Sequence, residues 1–153
     1  MLFLVQRLLR LWCIVLNPRT ILVVDDDEFL ARLMGELLRG KGYQVWTARD
    51  GLQGYSSYYQ HQARTIVTDI NMPELDGFEM MRCIRVINPR ARAIYMSGAP
   101  EQYRRTLVSE AQNFGATVLR KPFKEVELLN LIAGERTKLE SPNHKKFVWK
   151  EAV

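Results

Sequence analysis

The sequence predicts an α/β fold, in which a doubly wound, five-stranded parallel sheet carries helices on both faces. Short apolar runs rich in β-branched residues alternate five times with segments whose apolar residues recur at helical spacing. Glycines or an Asn-Pro pair stand where several of the helical segments end. Strands and helices that alternate in this way form a parallel sheet that the helices cover.

The predicted elements follow one another at a regular pace. Predicted strands are the apolar runs at residues 21–24, 43–48, 65–68, 93–96 and 117–120. Predicted helices are the segments at residues 28–39, 51–60, 78–87, 101–114 and 123–133. The first helix ends before Gly40, the third before Asn88-Pro89, and the fourth before Gly115, a residue suited to a helix C-cap.

Composition and charge favour one globular domain with two short extensions. The chain has 153 residues, of which 47% are hydrophobic and 25% charged, and this excludes collagen-like and wholly disordered classes. The formal charge is +5, but residues 19–134 carry 15 basic and 14 acidic side chains. The basic excess therefore lies in the ends, and no block of like charge indicates a nucleic-acid face. We expect the domain at 19–134, between an apolar extension at 1–18 and a basic tail at 135–153.

The extension and the cysteines bear on the cellular setting. Residues 1–16 are fewer than the roughly 20 that span a bilayer, and they include Arg7 and Arg10, which oppose insertion. Three roles stay open for this segment: peripheral contact with a membrane surface or a partner, packing on the domain, or none. Cys13 and Cys83 have neither metal-binding nor disulfide-scaffold spacing, so we expect a reducing, cytoplasmic setting.

Polar side chains follow four of the five predicted strands at the points where the strands end. They are Asp25, Asp26 and Asp27 after the first strand, Asp69 after the third, Ser97 after the fourth and Lys121 after the fifth. Ligands of open parallel sheets bind at the carboxyl ends of the strands. The sequence therefore predicts one site at this edge, made of acids, a hydroxyl and a lysine.

This set of groups favours phosphoryl chemistry with a divalent cation. Carboxylates clustered in a cleft are tolerated when they are protonated or bound to a cation, and Mg²⁺ binds one or two carboxylates together with a phosphate. Phosphoryl transfer needs chiefly positioning and charge neutralisation. Asp69 is then a candidate nucleophile that would form an acyl phosphate, with Ser97 and Lys121 beside the remaining phosphoryl oxygens.

Four motifs, in this order, resemble the receiver domain of two-component response regulators. They are ILVVDDDE at 21–28, IVTDINMPELDG at 66–77, YMSG at 95–98 and RKPF at 120–123. The resemblance covers about residues 20–133 and implies a flavodoxin-like fold with strand order 2-1-3-4-5. Because no effector domain follows residue 134, it also implies a stand-alone, chemotaxis-type response regulator that signals by protein contact.

The resemblance implies a role for each acidic residue of the site. Asp69 would accept a phosphoryl group from a sensor histidine kinase or a histidine phosphotransfer protein. Asp26 and Asp69 would bind Mg²⁺ directly, together with the backbone carbonyl of Asn71, and Asp25 would act through water. The chain would be a phosphoacceptor and not an enzyme, apart from slow self-dephosphorylation.

The resemblance also implies roles for the other side of the site and for two surfaces. Ser97 and Lys121 would contact the phosphoryl oxygens, and the Lys121-Pro122 peptide bond would be cis. The first helix would meet the phosphodonor, and residues 101–133 would form the phosphorylation-sensitive surface for a downstream protein.

One departure from the family pattern is Val118, three residues before Lys121, where receivers often carry an aromatic residue that moves on activation. The usual aromatic switch is therefore in question, whereas the phosphorylation chemistry needs no contact from Val118.

Two other functions stay open at this stage. A phosphatase of the haloacid-dehalogenase type would use Asp25 as nucleophile and Asp27 as general acid, but its later acidic motif is missing after Lys121, and it leaves Asp69 without a role. A receiver-like interaction module would keep the fold without being phosphorylated. For single residues, a simpler interpretation is that the three aspartates only cap the first helix.

Overall fold

Within residues 19–134, five strands alternate with five α-helices, and a 3₁₀ turn precedes the fourth helix. The strands are β1 (Thr20–Val24), β2 (Gln44–Ala48), β3 (Thr65–Asp69), β4 (Arg92–Ser97) and β5 (Thr117–Arg120). The helices are α1 (Glu28–Gly40), α2 (Gly51–His61), α3 (Gly77–Ile87), α4 (Arg104–Phe114) and α5 (Glu125–Ala133). The computed structural model describes residues 19–134; the segments 1–18 and 135–153, with the roles considered for them, lie outside the described residues.

The strands form one parallel sheet in the order β2-β1-β3-β4-β5. This confirms the predicted fold class and strand order. Because the chain moves outward from β1 first to one side and then to the other, the order reverses between β1 and β3, and a crevice opens there at the carboxyl ends of the strands. The residues that follow β1 and β3 are therefore neighbours at the edge where the site was predicted.

The sheet separates two apolar cores because successive side chains of a strand point to opposite faces. In β1, Leu22 and Val24 belong to the core under α2, α3 and α4, whereas Ile21 and Val23 belong to the core under α1 and α5. All four of these residues are at most 1% exposed. Burial on both faces explains why the central strands β1, β3 and β4 are largely apolar runs, whereas the edge strand β2 alternates buried with exposed residues.

Helices α1, α2 and α3 begin at this same edge, and each is capped by an aspartate. Asp27 accepts from the backbone N–H groups of Phe29 and Leu30, both at 3.1 Å. Asp50 accepts from the N–H of Gln53 at 2.7 Å, and Asp76 accepts from the N–H of Glu79 at 2.8 Å. An N-cap carboxylate satisfies N–H groups that have no partner within the helix.

The start of the fourth helix differs from the prediction. Residues Pro100–Tyr103 form a 3₁₀ turn, and the α-helix begins at Arg104 and not at residue 101. Neither Ala99 nor Tyr103, the residues before the turn and before the helix, supplies a side-chain cap. Without an acceptor to fix the first N–H groups, the chain enters the helix through the tighter turn.

The last helix also begins later than expected, at Glu125 and not at residue 123. The Lys121-Pro122 peptide bond is cis, as the resemblance implied. Beyond it, the N–H of Lys124 donates to the Glu127 carboxylate at 2.6 Å, which fixes the first turn. Among the helices of residues 19–134, none combines the length and apolar character needed to cross a membrane.

Candidate functional site

Two buried carboxylates and one lysine meet at the carboxyl edge of the sheet. The Lys121 Nζ lies 2.7 Å from Asp25 Oδ2 and 2.7 Å from Asp69 Oδ1. Asp25 is 1% exposed and Asp69 is 8% exposed, so the carboxylates are largely withdrawn from water. The predicted convergence of residues 25, 69 and 121 is confirmed, and the ammonium group supplies the positive charge that the two acids need.

Asp25 is fully engaged within the site. Its Oδ1 accepts from the N–H of Asp27 at 2.9 Å, and its Oδ2 binds Lys121. Its own N–H donates to the carbonyl of Ala48 at 3.1 Å, at the end of the neighbouring strand. Asp25 therefore acts as the fixed anchor of Lys121, whereas Asp69 is the more accessible of the two carboxylates.

The three consecutive aspartates have different surroundings. Asp25 is buried and holds Lys121, while Asp26 is exposed beside the site. Asp27 is exposed and caps α1, as described above. The capping interpretation is thus correct for Asp27 and wrong for Asp25.

Burial controls the electrostatics of Asp69. Desolvation raises the pKa of this carboxyl, hydrogen bonding and attraction to Lys121 oppose the rise, and repulsion from Asp25 and Asp26 adds to it. For Lys121, burial alone would lower the pKa, but the hydrogen bonds and the electrostatic attraction to Asp25 and Asp69 together outweigh it, and the pKa is raised. Lys121 is therefore positively charged at neutral pH.

The loop after Asp69 depends on a glycine whose role the sequence reasoning missed. The N–H of Gly77 donates to the carbonyl of Ile70 at 2.9 Å. A Cβ atom at Gly77 would lie 2.3 Å from the carbonyl oxygen of Asp69, a distance that real Cβ atoms do not adopt. Only glycine lets the start of α3 approach the end of β3 so closely. The Asp76-Gly77 pair in the sequence was the signal, but we interpreted it only as part of a loop motif.

Ser97 lies beside the acids and lysine without joining their ion-pair network. It is 6% exposed, and its Oγ accepts from the N–H of Ala99 at 3.1 Å. Its carbonyl accepts from the N–H of Lys121 at 2.8 Å, which sets the ends of β4 and β5 side by side. The hydroxyl therefore stands at the predicted edge and is bonded to the start of the connection that leads to α4.

Of the residues expected to bind a metal, Asp25 and Asp69 both contact Lys121, and Asp26 lies close enough to Asp69 to repel its carboxylate. Asp26 and Asn71 are exposed, whereas Asp25 and Asp69 are buried. Within residues 19–134, no group of three or more His, Cys, Asp or Glu side chains is arranged to hold a metal ion. The donor chemistry nevertheless fits Mg²⁺, because this ion takes oxygen ligands and commonly uses one or two carboxylates, with water and phosphate completing its shell.

Comparison with known proteins identifies similar chains at the level of sequence. A family model described as response regulator receiver domain matches residues 21–133. The chemotaxis protein CheY of Bacillus subtilis is 32% identical over 114 residues, which cover 73% of this chain and 92% of that protein. Sporulation initiation phosphotransferase F of Bacillus subtilis is 29% identical over 113 residues, covering 73% of this chain and 89% of that protein.

Solved structures are similar over the same part of the chain. The receiver domain of a sensor histidine kinase from Pseudomonas aeruginosa, with magnesium coordinated in its active-site cleft, matches with a TM-score of 0.66 and 29% identity, over 76% of this chain and 95% of that one. A chain of the CheX–CheY complex from Borrelia burgdorferi, with BeF₃ and Mg²⁺, matches with a TM-score of 0.67 and 26% identity, over 77% and 89% respectively.

Proposed function

Because this chain belongs to the response regulator receiver family, whose model matches residues 21–133, we propose that Asp69 is its phosphoacceptor. The donor would be a sensor histidine kinase or a histidine phosphotransfer protein. One observation supports this assignment most strongly: the Asp69 carboxylate lies at the carboxyl edge of the sheet, 2.7 Å from Lys121 Nζ. That position offers an attacking oxygen together with a positive charge for the phosphoryl group it receives.

In the proposed transfer, an oxygen of the Asp69 carboxylate attacks the phosphorus atom of the donor phosphohistidine. A P–O bond to Asp69 forms while the P–N bond breaks, and its electron pair stays on the imidazole nitrogen. Lys121 then contacts a phosphoryl oxygen in place of Asp69 Oδ1, while Asp25 still holds the ammonium group from behind. The Ser97 hydroxyl donates to a second phosphoryl oxygen, as its place at the end of β4 allows.

Mg²⁺ would neutralise charge on the phosphoryl oxygens when bound. We propose that Asp26 and Asp69 bind it directly with the backbone carbonyl of Asn71, and that Asp25 acts through water. The chemistry of these oxygen donors supports this set, as does the magnesium ion in the cleft of the Pseudomonas aeruginosa receiver domain.

The proposal extends to the surfaces, boundaries and setting of the protein. We propose that residues 19–134 are the receiver domain, that α1 meets the phosphodonor, and that residues 101–133 signal to a downstream protein. Output would pass through protein contact, without nucleic acid, in the reducing cytoplasmic setting that the cysteine pattern predicts. The chain would act as a phosphoacceptor that slowly loses its phosphoryl group, and not as an enzyme on a separate substrate.

Phosphorylation by acetyl phosphate with Mg²⁺, followed by intact mass, tests the proposal. The full chain should gain one phosphoryl group, and Asp69→Asn should gain none. Asp25→Asn is the matched control for the phosphatase alternative, since that mechanism needs Asp25 as its nucleophile. An adduct that survives Asp69→Asn and disappears with Asp25→Asn would contradict the proposal, and no adduct on the wild type would favour a receiver-like interaction module.

A further inference from the structure

A buried polar cluster outside the site links β4, α3 and α4. The Tyr95 hydroxyl donates to Glu110 Oε2 at 2.6 Å, and the same oxygen lies 2.7 Å from Arg85 Nη1. Tyr95 is 0% exposed, Glu110 7% and Arg85 8%. Burial, together with the hydrogen bond to Glu110, raises the pKa of Tyr95 far above its ordinary value, so its hydroxyl remains a donor.

Arg85 holds α4 at two points. Besides its ion pair with Glu110, its guanidinium carbon lies 3.8 Å from the ring centre of Phe114. Glu110 and Phe114 are four residues apart and therefore share one face of α4. A single arginine of α3 thus contacts both the middle and the last turn of α4.

Few residues of helix α4 are buried. Leu107 and Glu110 are its only buried residues, and no side chain caps its N-terminus. Helix α3, by contrast, buries six residues. The attachment of α4 therefore depends more on its ion pair with Arg85 and its hydrogen bond with Tyr95. Polar attachment of this kind requires the partners to meet within hydrogen-bond distance, so a small displacement breaks it.

Tyr95 connects this cluster to the phosphorylation site. It lies two residues before Ser97 on β4, so both side chains point to the same face of the sheet. On that face Tyr95 pairs in register with Val118 of β5. The centre of its ring lies 4.8 Å from the centre of the Phe78 ring. Position 118 of β5 thus has no aromatic ring, but the facing residue of the neighbouring strand, Tyr95, has one, and its hydroxyl is hydrogen-bonded to Glu110 of α4.

The connection from Ser97 to α4 is short. The Ser97 Oγ accepts from the N–H of Ala99, and the 3₁₀ turn Pro100–Tyr103 leads directly into α4. If the hydroxyl turns toward a phosphoryl group on Asp69, it gives up this bond. The start of the connection is then free to move together with the end of β4.

We propose that the Tyr95–Glu110–Arg85 cluster is the tether that holds α4 in its unphosphorylated position, and that phosphorylation loosens it through Ser97. This inference rests on the proposed function of Asp69. The tether takes the place of an aromatic switch on β5, and α4 is the element that responds.

Hydrogen exchange of α4, measured on the full chain with and without beryllofluoride and Mg²⁺, tests the tether. In the wild type, beryllofluoride should accelerate exchange of the α4 amides. Tyr95→Phe keeps the ring and removes only the hydroxyl, so without beryllofluoride it should already accelerate α4 exchange about tenfold, the effect of losing one hydrogen bond to a charged group. Beryllofluoride should then add little.

Two further variants make the test specific. Glu110→Gln removes the charge that Arg85 and Tyr95 share, and it should loosen α4 at least as much as Tyr95→Phe does. Asn113→Ala is the matched control, because Asn113 Nδ2 donates to Ser109 Oγ at 3.0 Å on the exposed side of the same helix. It should leave both the basal exchange and the beryllofluoride response unchanged.

The outcomes separate the tether from the proposed function. If Tyr95→Phe and Asn113→Ala give the same α4 exchange, the tether does not exist. If the wild type takes up a phosphoryl group on Asp69 but beryllofluoride leaves α4 unchanged, the tether is not coupled to the site. If the wild type gains no adduct at all, the proposed function fails and the inference fails with it. Acetyl phosphate should still phosphorylate Tyr95→Phe, because Tyr95 does not contact the reacting atoms.

Discussion

The charged carboxylate of Asp69 lowers the stability of the folded protein, and its proposed role as phosphoacceptor explains why it is present. Its carboxylate is buried, and repulsion from Asp25 and Asp26 adds to the desolvation that raises its pKa, while Lys121 compensates only in part. A buried charge that is imperfectly compensated destabilises the folded state. Functional sites commonly retain such costs, because the residue is needed for chemistry and not for stability.

We therefore expect Asp69→Asn to raise the free energy of unfolding at pH 7 by about 0.5–2 kcal/mol. The folded-state pKa of this acid is raised above its ordinary value of 3.8, so the penalty is fully present above the raised pKa. As the pH falls from the raised pKa toward 3.8, wild-type Asp69 takes up its proton and the advantage of Asn should disappear. Urea denaturation at several pH values measures this.

Glu36→Gln, at an exposed position of α1, is the control for loss of one acidic charge, and it should change the stability little at any of these pH values. A less stable Asp69→Asn protein at pH 7 would show that the ion pair with Lys121 outweighs the cost of burial.

At the scale of elements, close approach of backbone decides where the site residues stand. The start of α3 lies against the end of β3, and Gly77 is the residue that permits this contact. Gly77→Ala would place a Cβ atom 2.3 Å from the carbonyl oxygen of Asp69 and 3.2 Å from the Cα of Ile70. The strand end or the helix must then shift, because neither backbone atom is at the end of a flexible side chain.

We expect Gly77→Ala to lower the free energy of unfolding by about 1–3 kcal/mol, the usual cost of overpacking. It should also slow phosphorylation by acetyl phosphate, since Asp69 is displaced from Lys121. Gly40→Ala is the matched control, because a Cβ atom there meets nothing within 4 Å, and it should leave both measurements near the wild type. Equal stability of the two variants would mean that α3 adapts without moving Asp69.

The elements also show what the sequence could and could not predict. Strands buried on both faces are continuous apolar runs, so their positions were predicted to within about a residue, and the rule for carboxyl ends correctly grouped residues 25, 69 and 121. Which of the three aspartates binds Lys121 was not predictable, because the partners are 96 residues apart and the choice depends on side-chain direction. The start of α4 was predicted wrongly for a different, local reason: no side chain caps the 3₁₀ turn or the helix.

At the scale of the whole molecule, the burial of charge is distributed unevenly. Arg85 and Glu110 pair in the core beneath α3 and α4, although each would pass for a surface charge in the sequence. Other ion pairs away from the site, such as Lys41–Glu125 and Arg82–Glu79, join exposed groups. Exposed pairs contribute little stability, whereas the buried Arg85–Glu110 pair attaches α4 to α3.

This distribution predicts an order of local stability, with α4 opening before α3. The two helices are equally long, at 11 residues each, and they pack on the same face of the sheet, which makes α3 the internal control. Helix α3 has a capping box formed by Asp76 and Glu79, whereas α4 has no side-chain cap and two buried residues. Helices with few buried apolar contacts open at lower free energies than the core elements.

Native-state hydrogen exchange at increasing, sub-denaturing urea concentrations measures this order. The α4 amides should exchange through a local opening at least about tenfold more readily than those of α3 in the absence of urea. The two helices should converge only as urea approaches the unfolding transition, where global unfolding governs both. If α3 and α4 exchange together at all urea concentrations, α4 is an integral part of the core. The output surface proposed at residues 101–133 would then have to change without α4 opening separately.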